Sequence, residues 1–159
     1  MPPKPSEPEF AARVEAAKSA SVAQLLFKAA RLVNERALGS LPSPPRGPRL
    51  RAAHTSLFPH LSLEGTRLTE LARRLGISKQ AVGQLVDELE EMGAIERVPD
   101  PADARAKLVR FSRRPGRTLL DGLRHLQAIE AELVAEVGEA HIQSLRAGLV
   151  ALLEVLERE

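Results

Sequence analysis

The stretch LTELARRLGISKQAVGQL, residues 68–85, decides how this chain folds. It reads as two helices separated by Gly76, with each residue type where a sharp helix crossing needs it. Ala72 is small, so the second helix can approach the first closely. Gly76 can take the positive φ of a tight helix–helix turn, a conformation that costs other residues energy. Ile77, Val82 and Leu85 supply an apolar wedge, and Ser78 is an N-cap whose hydroxyl accepts an otherwise orphaned N–H. With Val82, Leu85, Val86 and Leu89 facing inward, the outward face opens with Lys79, Gln80, Gly83 and Gln84. Those are a phosphate or base binder, two amides able to pair bidentately with adenine, and a glycine that permits close approach. The acidic block DELEE lies at the other end of the second helix, and a helix entering a major groove reads bases with its first turns. Taken alone, the pattern also fits an αα-corner with a solvated polar face.

The residues immediately downstream change the balance. The run AIERVP, the tip DPADA and the run RAKLVRFS, residues 94–112, compose a β-hairpin: β-branched or aromatic residues flank a Pro/Asp turn. From Ala104 to Arg117 there are six Lys/Arg and no carboxylate, in a chain whose net charge is only +2. A hairpin directly after the second helix of a helix-turn-helix is a wing. Arg105, near its tip, is placed for a minor groove, where narrow A·T-rich tracts concentrate negative potential. Lys107, Arg110, Arg113 and Arg114 would serve phosphates, each adding salt dependence through counterion release. Asp103, two residues before Arg105, is expected to orient that guanidinium. A solvated basic hairpin without a ligand is the plainer alternative, less favoured because the helix pattern and the wing are independent signals.

The remaining chain sets the context. At 159 residues there is one domain's worth of sequence, 43% hydrophobic and 28% charged, with an aliphatic core imposed by the absence of Tyr and Trp. No apolar run approaches a membrane span, and MPPKPSEPEF has no apolar core of a secretory signal, so a cytoplasmic location is expected. With no cysteine, disulfides, thiolate metal sites and thiol redox switches are excluded. Charge is unevenly spread: residues 1–60 are net +5, residues 116–159 net −4, and the nearly neutral middle splits into an acidic and a basic block.

Residues 1–9 are Pro-rich and expected to be disordered. Residues 10–38, free of Pro and with Gly held off until position 39, read as one long amphipathic helix. Residues 39–48 form a Pro-rich linker. A short helix runs from Arg49 to about Phe58, where Pro59 ends it, opening a DNA-binding domain over residues 49–115. Residues 116–159 hold two amphipathic helices broken near Gly138. In the last, Ile142, Leu145, Leu149, Leu152 and Leu156 step by 3, 4, 3, 4, a narrow apolar seam buried either within its own subunit or between subunits.

From about His54 to Arg117 the sequence resembles the MarR family of bacterial transcriptional regulators. DPADARAKLVRFS is similar to that family's wing signature, an Asp-x-Arg followed by a strand ending in Leu-Thr. Asp103 and Arg105 match the acidic and arginine positions, and Phe111 and Ser112 stand in for Leu-Thr. Ala104 departs from the arginine usual between them, and SRRPG is one residue longer than the usual junction after the wing. The resemblance implies a mainly α fold with a small β-hairpin: a winged helix-turn-helix core flanked by dimerisation helices at 10–38 and 116–159. It also implies a homodimer on a pseudo-palindromic operator in double-stranded DNA, acting as a repressor modulated by a small-molecule effector. The lack of cysteine excludes thiol-oxidation sensing, and the lack of Tyr and Trp thins the aromatic wall a phenolic ligand would need.

The expected DNA-binding set is therefore Ser78, Lys79, Gln80, Gly83, Gln84, Arg105, Lys107 and Arg110, with Asp103 orienting the wing. A second class of function is a winged helix used for protein contact, its basic wing binding an acidic partner. An enzyme is not expected: His54, His60, His125 and His141 are scattered, and no phosphate loop, paired-histidine helix or nucleophile elbow is present. No cofactor or metal is expected. His54 is a candidate for the wall of an effector pocket, because its short helix abuts the winged helix in sequence.

Overall fold

A computed structural model of the chain describes residues 6–42, 47–114 and 119–158. Seven α-helices and three short strands account for most of them, and the chain divides into two compact units, residues 1–42 and 43–159.

The first unit is a helix pair, α1 (Glu7–Ala20) and α2 (Val22–Ser40). The single helix expected over 10–38 breaks at Ser21. Its extended backbone ends α1, and its hydroxyl accepts the Gln24 N–H at 3.4 Å to cap α2. Helix α1 starts inside the segment expected to be disordered, because Pro8 lies in the first turn, where its missing N–H has no helical partner to lose. Gly39 and Ser40, assigned to the linker, close α2. Residues 1–5 and 43–46, the rest of the expected tail and part of the linker, lie outside the described residues.

The second unit holds the winged helix. The expected helix from Arg49 contracts to α3 (Ala52–Thr55) plus a 3-10 turn at Phe58–His60, in which Pro59 takes an early position instead of following a helix end. Next come β1 (Thr66–Arg67), α4 (Leu68–Leu75), α5 (Lys79–Glu91), β2 (Ile95–Asp100) and β3 (Asp103–Phe111). The strands form an antiparallel sheet in the order β1-β3-β2, with Thr66 opposite Val109 and Glu96 opposite Arg110. Strand β1 went unforeseen, since two residues carry no readable alternation. Gly65 lets it dock: its φ is +113°, and a Cβ there would sit 2.7 Å from the Leu108 Cβ.

Leu57, Leu71, Val82, Leu85, Val86, Leu89, Ile95 and Val109 make one core, so the four inward positions read on α5 are all buried. The Phe58 and Phe111 rings meet at 5.6 Å between centroids, tilted by 52°, tying the 3-10 turn to the end of the wing. Gly76 ends α4 at φ +65°, as the turn requires. Ile77, expected in the wedge, is instead 42% exposed: its N–H follows the left-handed turn back to the Ala72 carbonyl, and the next residue starts a new helix. The space around Gly76 is open, so Gly76→Ala tests backbone strain alone. We expect it to lower unfolding free energy by about 1–2 kcal/mol in urea titrations, with an unchanged m-value.

Helices α6 (Leu119–Val137) and α7 (Glu139–Leu156) break at Gly138, as read from the sequence, and an Arg146–Glu130 ion pair links them. Along the α7 seam Ile142 and Leu149 are half-buried, whereas Leu145, Leu152 and Leu156 are exposed. Residues 115–118, which include the Pro-Gly break at the end of the lengthened junction, lie outside the described residues.

Candidate functional site

Helix α5 is built so that its two ends do different things. At its start the Ser78 hydroxyl accepts the Ala81 N–H at 3.1 Å, as expected of the N-cap. Lys79, Gln80 and Gln84 are exposed, and Gly83 is half-buried with open space where a Cβ would stand. The acidic end is tied down. Arg97 on β2 pairs with Asp87 at 2.6 Å and also with Glu90. Arg51, just before α3, grips both oxygens of Glu88 at 2.7 and 2.6 Å. Three carboxylates of the helix thus carry arginine partners, which reduces their repulsion of a polyanion and fixes α5 against the wing on one side and α3 on the other.

His54 lies in that second anchor. It is fully buried, its Nδ1 accepts the Arg51 main-chain N–H at 3.3 Å, and its Nε2 lies 2.9 Å from a Glu88 oxygen. These contacts define a neutral ring with its proton on Nε2, donated to Glu88. Burial pushes the His54 pKa down, against the hydrogen bond to Glu88, while Arg51 holds the Glu88 carboxyl below its usual range. The place proposed for His54 in a pocket wall is therefore corrected: the ring is a packed strut between α3 and α5, with no exposed surface to offer a ligand. A groove of about 540 Å³ does run along α1 and α2, lined by Glu15, Lys18, Leu25, Phe27, Lys28 and Arg31 among others.

The wing sorts its cations by the strand register. Arg110 stands opposite Glu96 and pairs with it at 2.8–2.9 Å, both side chains about three-quarters buried. Its expected role at phosphate is corrected accordingly, since that charge is spent across the hairpin. Arg105 and Lys107 are exposed, and neither has a carboxylate partner among the described residues. Asp103 does act on Arg105, though through the backbone: its Oδ1 accepts the Arg105 N–H at 3.0 Å, and its Oδ2 lies 3.8 Å from the Arg67 guanidinium. Asp100, buried at the other side of the tip, accepts the Ala102 N–H at 2.8 Å and an ion pair from Arg67. These donors hold the Asp100 carboxyl below its ordinary pKa, the Ala102 N–H contributing most.

Sequence reading missed Arg51, Arg67 and Arg97, because each partner lies on another element. The Glu96–Arg110 pair was out of reach too: counting from Asp100 opposite Asp103 would set Glu96 against Lys107, and the register shift between Pro99 and Asp100 brings Arg110 there instead.

A helix with an amide- and lysine-bearing start, clamped at its other end to a hairpin with exposed cations, defines a winged helix-turn-helix. Residues 60–106 match the model of the MarR family, the family of transcriptional regulators that the wing sequence resembles. Solved structures carry the same fold over most of the chain. CouR from Rhodococcus jostii RHA1, solved bound to p-coumaroyl-CoA, is 25% identical, covering 85% of this chain and 93% of that one at a TM-score of 0.54. A MarR-family transcriptional regulator from Rhodococcus sp. RHA1 is 23% identical over 84% of this chain and 93% of its own, at 0.59. The transcriptional regulator BldR from Sulfolobus solfataricus is 22% identical over 94% and 99%, at 0.53. No curated protein matches the chain. No helix among the described residues is long and apolar enough to cross a membrane, and those residues hold no cluster of potential metal ligands.

Proposed function

We propose that this chain is a binding protein rather than an enzyme: a cytoplasmic repressor that grips double-stranded DNA as a homodimer and releases it on binding a small-molecule effector. The carrying observation is the sorting of charge on the winged helix. Carboxylates of α5 are neutralised by Arg51 and Arg97, whereas Lys79, Arg105 and Lys107 are left exposed without acidic partners among the described residues. Each subunit would set Lys79, Gln80 and Gln84 in a major groove, with Ser78 and Gly83 at close approach, and Arg105 in the adjoining minor groove. Exposed leucines on α7 and apolar residues on α2, Leu25 and Phe27 among them, favour assembly with a second copy. Two-fold symmetry then calls for a pseudo-palindromic operator with half-sites about 10 bp apart. The effector rests on the family and on the ligand that CouR binds.

Footprinting and band-shift titration on DNA flanking the chain's own gene, repeated over a salt series, test the reading. Specific protection of two half-sites with a steep salt slope is expected; equal binding to any sequence would reject it. The register adds a sharper expectation. Lys107→Ala should lower the slope of log K against log salt by about 0.9, one phosphate's worth, whereas Arg110→Ala should leave it unchanged.

A further inference from the structure

Arg67 is an unexpected residue where it stands. It is the N-cap of α4, a position that favours a short side chain able to accept a backbone N–H, and it makes no such cap. It also places a positive charge at the positive end of a helix dipole. Local structure gives no reason for an arginine here; the wing does. Its Nε lies 2.7 Å and an Nη 2.6 Å from the same Asp100 oxygen, and that carboxylate is nearly fully buried. The same guanidinium lies 3.8 Å from Asp103. These two aspartates bracket the wing tip: Asp100 holds the Ala102 N–H on one side, and Asp103 holds the Arg105 N–H on the other.

We propose that Arg67 is a positioning residue for the wing, fixing through Asp100 and Asp103 the turn from which Arg105 projects to DNA. The inference rests on the DNA-binding reading above and adds a residue outside both the recognition helix and the hairpin. A guanidinium between two carboxylates holds a turn against the twisting and fraying to which a hairpin tip is prone, so Arg105 meets the duplex already placed. Because the α4 N-cap and β1 are in register with β3, the wing is set relative to the helix-turn-helix itself.

The test compares Arg67→Ala, Arg67→Lys, Arg105→Ala and the Arg67→Ala/Arg105→Ala pair. Readouts are operator affinity, amide exchange at Arg105 without DNA, and thermal unfolding. Arg67→Ala is expected to weaken operator binding by about tenfold and speed Arg105 amide exchange, but to add less than about twofold once Arg105 is already alanine. Arg67→Lys keeps the charge and loses the planar fork, so it should resemble the alanine variant. Equal weakening with and without Arg105, or full rescue by lysine, would make Arg67 a direct phosphate contact and overturn the proposal. If the unaltered protein binds no specific DNA, the reading as an operator-binding protein fails on its own. Arg105 exchange then judges the wing, and an unchanged rate in Arg67→Ala overturns the positioning role.

Discussion

The double variant Lys79→Glu/Arg105→Glu should lose at least about a hundredfold in operator affinity, with its salt slope reduced by about two. Both side chains are exposed and lack acidic partners among the described residues, so reversal costs nothing internal and acts on the duplex directly. One lies at the start of α5 and the other at the wing tip, which makes the loss a joint measure of both contacts. Sedimentation or light scattering should show the same oligomeric state as the unaltered protein. Unchanged DNA affinity would abandon the operator reading and favour an acidic protein partner for the wing.

His54→Ala should lower stability by about 2–4 kcal/mol, since it empties a fully buried site and leaves the Arg51 main-chain N–H without its acceptor, while Glu88 keeps only its Arg51 partner. The same ring gives the fold an acid-sensitive strut. Its pKa in the folded protein is below the ordinary value of about 6.5, so the unfolded chain takes up a proton first as pH falls. The stabilisation from His54 is thus complete above about pH 6.5 and declines below it until the folded ring also titrates. Glu88 and Asp100, both depressed, contribute stability above their ordinary carboxylate values and lose it at lower pH, as their folded forms protonate. Urea unfolding from pH 7.5 to 4 should show an early decline that disappears in His54→Ala and a later one that persists. A decline starting at the same pH with His54 absent would contradict the assignment.

Much of the winged helix is legible in local sequence. Positions 82, 85, 86 and 89 repeat at helical spacing, so the inner face of α5 could be read without coordinates, and so could the outward Lys79, Gln80 and Gln84. Gly76 announced its turn by being the one residue there at ease with positive φ, and the Pro/Asp tip announced the hairpin. Errors arose where a competing local preference prevailed. Ser21 offered a cap, which split one helix into two, and Ile77 followed the geometry of the turn instead of its hydrophobicity. Arg110 and His54 went astray for another reason: each was judged by its own chemistry, without its partner.

The sequence by itself determined the helix-turn-helix, the wing and the positions of the charges along them, because periodicity, caps and turn residues act over a few neighbours. Only the tertiary structure decided which charges remain available. Arg110, Arg97, Arg51 and Arg67 look no different in sequence from Arg105, and all four are taken up by carboxylates on other strands and helices. An ion pair depends on separation in space, and separations between elements are set by the packing of the core around Leu57, Leu71 and Leu89, not by distance along the chain.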